Sequence, residues 1–148
     1  MAYLADTNVS SRRVLLTDPL YGIVKSAIDA LLLQGDTVYI TAQNLVEFQA
    51  LATRPVEANG LGLTPTQANE RAVDIEAFFP LLAEVPEIYP HWRTLMETID
   101  IRGRQVYDAR LVAVMLAHGI THILTFNGSH FRRFPGITVV EPGDLTSP

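Results

Sequence analysis

The stretch LADTNV, Leu4 to Val9, runs from apolar residues straight onto a carboxylate, a hydroxyl and an amide. Asp and Asn hydrogen-bond their own backbone and tolerate turn geometry, so one reading is a turn. The other is a set of polar ligands at the end of a buried strand. The choice depends on whether later parts of the chain bring further acids to the same place.

Working outward, Ala2 to Ala5 supplies a short first strand. Asp18, Pro19, an apolar-periodic stretch to Leu33 and Gly35 have the form of an N-cap, a first-turn proline, a helix and a glycine stop. DTVYITA (36–42), β-branched and aromatic, predicts a second strand, and Gln43 to Ala52 a helix ended by the Arg54–Pro55 boundary. After the loop RPVEANGLGL, Thr64-Pro65-Thr66-Gln67 has the form of a capping box and opens a helix to about Phe79. Leu81 to Val85 is a further extended stretch. Pro86 to Ile99 carries a helix around Trp92, Leu95 and Met96, and IRGRQVY (101–107) reads as a connecting loop. Asp108 to His118 is almost wholly apolar, which predicts a central buried helix stopped by Gly119. ITHILTF (120–126) and ITVVEP (137–142) supply the last strands. Strands alternating with helices imply an α/β fold, a mainly parallel sheet covered on both faces. No repeat, linker or low-complexity segment interrupts it, so 1–148 reads as one domain.

Composition agrees with that reading. With 148 residues and 48% hydrophobic content, the chain can bury a sizeable core and is too short for two ordinary domains. The absence of cysteine excludes disulfides and thiolate metal sites. The N-terminus has neither a basic region nor a cleavable apolar stretch, so no export signal is read and a cytoplasmic location is expected. Leu111 to Phe131 is uncharged, but Gly119, three histidines and Asn127 interrupt it, which fits a helix followed by a strand better than a membrane span. A net charge of −5 offers no general attraction for nucleic acid, so any such function needs a local site.

Parallel sheets bind ligands beyond the carboxyl ends of their strands. Asp6 lies at the end of the first strand, Glu47 in the helix after the second, Asp108 at the opening of the buried helix, and Asn127 after ITHILTF. Alone, Asp108 reads as an N-cap, Glu47 as part of a solvated face with Gln43 and Asn44, and Asn127 as a turn. Convergence would change their meaning. Two carboxylates at ~4 Å repel by about 4 kcal/mol at an effective dielectric near 20, so a cluster requires a cation or a proton. An all-oxygen donor set suits magnesium or manganese, and no HxH or HExxH spacing suggests zinc.

The stretches YLADTNV, TAQNLVEF, VYDARLVAVMLAHGITHILTFN and FRRFPGITVVEP, in this order, resemble PIN-domain ribonucleases of the VapC toxin type. The resemblance implies a three-layer α/β/α domain with about five parallel strands and Mg2+- or Mn2+-dependent hydrolysis of single-stranded RNA. It further implies Asp6 and Asp108 as principal metal ligands, Glu47 as third acid, and Thr7, Asn8 and Thr125 as polar groups orienting them. Asn127 would orient water or phosphate, with Arg104 and Arg110, near Asp108, as candidate phosphate contacts. A small antitoxin protein and a second copy of the chain, forming a homodimer, are the expected partners. The departure is TFNGSHF: many relatives carry an aspartate where this chain has Asn127, or an acid three residues later, where it has His130. His130, beside Phe131, reads as packing or solvent-exposed. Two rivals remain at this point, a catalytically weak RNA- or partner-binding module and a haloacid-dehalogenase-like phosphatase. The latter is disfavoured because Asn8 replaces the second acid of DxD and the sole lysine, Lys25, lies in the first helix.

Overall fold

The computed structural model describes residues 1–145. Its sheet has four parallel strands, β1 (Ala2–Ala5), β2 (Thr37–Tyr39), β3 (His122–Leu124) and β4 (Thr138–Val140), in the order β2-β1-β3-β4. Between them run α1 (Thr7–Ser10), α2 (Tyr21–Leu33), α3 (Ala42–Thr53), α4 (Pro65–Phe78), α5 (Ile88–Thr98) and α6 (Gln105–His118).

Burial on both faces of β1 explains its short unbroken apolar run. Tyr3 and Ala5 point into a core shared with Val24, Ile28 and Phe48 from α2 and α3, while Leu4 points into the opposite core with Val112, Met115 and Ile88. β3 repeats the alternation, Ile123 to one side and Leu124 to the other. This two-sided period-2 burial generates the three layers. α6 is the buried helix that its apolar sequence predicts, and it ends on Gly119 at φ 69°, a left-handed turn that favours glycine.

Several boundaries differ from expectation. The fifth strand is reduced to a one-residue bridge, Ile40 to Leu81, in which Ile40 donates to the Pro80 carbonyl at 3.0 Å and Leu82 donates to Ile40 O at 2.9 Å. Pro80 has no N–H to extend the ladder. α2 begins at Tyr21, because Asp18 accepts from Leu20 N–H at 2.8 Å and forms a separate turn ahead of the helix. IRGRQVY is not wholly a loop: α6 starts at Gln105, so Asp108 sits within the first turn of the helix and not at its cap.

Candidate active site

Asp6 answers to both readings of LADTNV. β1 lies between β2 and β3, and Asp6 continues its ladder by donating N–H to Leu124 O at 2.9 Å. Its Oδ1 accepts from Thr7 N–H at 2.8 Å, capping α1, and its Oδ2 accepts from the Thr125 hydroxyl at 2.7 Å. Thr125 holds its place by accepting from Asn127 N–H at 2.9 Å and, more loosely, from Asn8 Nδ2 at 3.4 Å. The carboxylate is buried, 8% exposed, and burial raises its pKa. The two hydrogen bonds oppose that rise and the charge of Glu47 adds to it.

Glu47 is oriented from the start of its own helix. Thr41 and Asn44 form a capping box, Thr41 N–H donating to Asn44 Oδ1 at 2.8 Å. Asn44 then donates from Nδ2 to Thr7 Oγ1 at 3.0 Å, and Thr7 donates its hydroxyl to Glu47 Oε2 at 2.7 Å. Gln43 donates to the other oxygen, Oε1, at 2.8 Å and also to Tyr107 O at 2.8 Å, joining α3 to α6. One side-chain relay thus runs from a helix cap to a carboxylate.

Asp108 is half-buried, and its pKa is raised to about 6, first by desolvation and next by the negative charge of Asp6. His130 Nδ1 lies 3.5 Å from Asp108 Oδ2, and its charge would lower that pKa. Asn127 begins the short 3-10 turn Gly128–His130, its side chain making no capping hydrogen bond.

Asp6, Glu47, Asp108, Asn127, Thr7 and Asn8 line a single cleft of ≈ 890 Å³ at the carboxyl edge of the sheet, and Arg104 lines it too. Thr125 lies fully buried beneath Asp6. Arg110 does not line it: it pairs with Glu84 at 3.0 Å and borders a separate, mostly apolar cavity of ≈ 330 Å³ beside Tyr89 and Trp92. Lys25 pairs with Asp29 on α2, away from the cleft, so the phosphatase reading loses its cation. Sequence reasoning overlooked three groups. Asn44, read as solvated, is 1% exposed, and the Thr41-x-x-Asn44 spacing of a capping box was its signal. His130, singled out as the place where relatives carry an acid but read as packing or solvent-exposed, faces Asp108. Arg54 also lines the cleft, where it had been only a helix boundary.

The donor set fits a hard divalent ion. The negative charge of Asp6 raises the pKa of Asp108 and that of Glu47 raises both, a repulsion that a cation relieves, and every candidate ligand atom is oxygen. Among the described residues no group of three or more His, Cys, Asp or Glu side chains is arranged to hold a metal ion by itself. An open site of one or two carboxylates, completed by water and phosphate, is the arrangement magnesium favours.

Residues 3–137 match the family model described as "PIN domain". Ribonuclease VapC48 of Mycobacterium tuberculosis is 29% identical over 147 residues, covering 96% of this chain and 98% of its own. Among solved structures, VapBC2 from Rickettsia felis bound to a promoter DNA fragment matches with a TM-score of 0.71 at 16% identity, covering 95% of this chain and 98% of that one. A toxin–antitoxin complex from Klebsiella pneumoniae matches with a TM-score of 0.64 at 19% identity, covering 95% and 97%. With a family match that spans both β1 and α6, and therefore all three acids of the cleft, the chain belongs to the PIN-domain family.

Proposed function

We propose that this protein is a Mg2+- or Mn2+-dependent endoribonuclease, the toxin of a toxin–antitoxin pair. The observation that carries the reading is the convergence of Asp6, Glu47 and Asp108 in one cleft, two of them with raised pKa values and none neutralised by an arginine or lysine ion pair. The similarity to a protein named as a ribonuclease supports RNA as substrate, and the solved toxin–antitoxin complex supports a small protein antitoxin as partner.

Asp6 and Asp108 would hold the ion. When bound, it supplies positive charge to the phosphate and acidifies a water for attack. Thr125 and Thr7 fix the orientation of the Asp6 and Glu47 carboxylates, so that little rearrangement is needed when substrate arrives. Glu47 Oε1 and Oε2, each held by one donor, keep free lone pairs to position the attacking water. The Asn127 side chain lines the cleft and can hydrogen-bond a water or a phosphate oxygen. Arg104, one helical turn before Asp108, offers a guanidinium to the phosphate beside the scissile bond.

Purified protein free of antitoxin should cut single-stranded RNA in Mg2+ or Mn2+, stop with EDTA, and lose cleavage in Asp108→Asn. Binding without cleavage across a broad RNA panel in both metals would overturn the nuclease in favour of a binding module. Phosphate release from small monoesters would return the phosphatase.

A further inference from the structure

Eight of the ten arginines are engaged by a carboxylate, an amide or an aromatic ring, as Arg12 is by Asp18 and Arg13 by Phe78. Lys25 pairs with Asp29 and the terminal amine with Asp36. Among the described residues, the two guanidiniums with no such partner are Arg54 and Arg104, and both line the cleft of the three acids. In a chain of net charge −5, the free cations are thus concentrated at one place.

They stand at different distances from the acids. Arg104 precedes Asp108 by one turn of α6, about 6 Å along the axis. Arg54 closes α3 two turns beyond Glu47 on the same helical face, about 10 Å away. Its backbone is fixed on both sides. Arg54 N–H donates to Ala50 O at 3.2 Å, and its carbonyl accepts from Gly62 N–H at 2.9 Å. A Cβ on Gly60 would stand 2.0 Å from that carbonyl oxygen, so only glycine lets the loop return so closely. The same loop brings Asn59 and Leu61 to the cleft wall.

Resting on the nuclease reading, we infer that Arg54 binds a backbone phosphate of the RNA one or two nucleotides removed from the scissile bond. The guanidinium fork suits phosphate oxygens, and its position at the far end of the cleft separates it from the phosphate that Arg104 and the acids engage. Arg54 is therefore a positioning residue that sets how much of the strand is gripped.

The test uses full-length protein carrying Asp108→Asn, which leaves RNA uncut, and a labelled long single-stranded oligoribonucleotide at a series of salt concentrations. Adding Arg54→Gln should weaken binding roughly five- to tenfold and reduce the slope of log K against log salt by about 0.7, the loss of one phosphate contact on a single strand. Arg54→Lys should keep the slope and recover part of the affinity. Lys25→Gln, the same charge change on the distant face of α2, should alter neither. A dinucleotide competitor should bind the Asp108→Asn protein and its Arg54→Gln derivative alike. If the parent binds RNA and Arg54→Gln leaves affinity and slope unchanged, the inference falls while the nuclease reading stands. An equal loss for the dinucleotide overturns the distance assigned to Arg54. If the parent binds no RNA at all, both readings fall together.

Discussion

Thr125 donates its hydroxyl to Asp6 Oδ2 at 2.7 Å, joining residues 119 positions apart. The bond follows from strand register: Ala5 of β1 pairs with Leu124 of β3, so the next residue of each strand meets its counterpart at the sheet edge. Removing the hydroxyl in Thr125→Val leaves Asp6 Oδ2 without its donor. Groups that orient a ligand typically change metal affinity 10–100-fold, and a loss of about that size is expected here. A magnesium titration of the melting temperature measures it, with Thr125→Ser retaining the wild-type midpoint. An unchanged midpoint in Thr125→Val would remove Thr125 from the site.

Magnesium should stabilise the wild-type protein, because a ligand at 100 times its dissociation constant contributes roughly 2.7 kcal/mol. For a domain of this size that corresponds to about 5–10 °C in melting temperature. Asp6→Asn should lose most of the response while the metal-free variant melts no lower than metal-free wild type, since relief of repulsion offsets the change. Calorimetry with and without EDTA reads both quantities. A metal-free variant that unfolds far more easily would make Asp6 a purely structural cap.

Acidity provides an independent check. The folded pKa of Asp108, about 6, lies above its ordinary value of 3.8, so the folded state binds this proton more tightly than the unfolded chain does. The resulting stabilisation is complete below about pH 4, fades as pH rises through about 6, and amounts to about 3 kcal/mol at most. Asp6 shifts in the same direction. In EDTA, wild type should therefore gain stability relative to Asp108→Asn between pH 7 and pH 4.5, as measured by urea denaturation. A constant difference across that range would mean that the carboxyl is not perturbed.

The TFNGSHF departure predicts weak hold of a second ion, because an amide attracts a cation less than a carboxylate does. His130→Asp would place an acid directly opposite Asp108, where the imidazole now stands at 3.5 Å, and Asn127→Asp would place one on the cleft wall. Both should lower the magnesium concentration that half-saturates cleavage. Initial rates across a magnesium series decide it, and equal half-saturation in all three proteins would make this segment only a turn.

The layers and most elements were legible because their signals are local: an apolar run buried on both faces in β1, a proline-started capping box in α4, an almost wholly apolar helix stopped by Gly119. The acids were legible as one position at a strand end, Asp6, and two on the helices α3 and α6, Glu47 and Asp108. The relay from Thr41 through Asn44 and Thr7 to Glu47 was not, because it depends on how α3 leans over α1. The start of α6 was missed for a similar reason. Arg102-Gly103-Arg104 has no side-chain cap, and the first turn is held instead by backbone bonds and by Trp92 Nε1 donating to Val106 O at 3.1 Å. Arg110 was misplaced because proximity in sequence to Asp108 does not fix the helical face; two residues on, the side chain points to Glu84.

The pairing of Ala5 with Leu124 also has a consequence in time. Proteins emerge from the ribosome N-terminus first. Asp6 and Glu47 are exposed early, but Asp108 lies well beyond the middle of the message and Thr125 later still. Asp6 acquires its geometry only after β3 has docked beside β1, so a prematurely terminated product that stops just short of β3 contains all three acids yet lacks Leu124 and Thr125, which bond Asp6 from that strand. Topology thereby defers completion of the site to the last quarter of the chain.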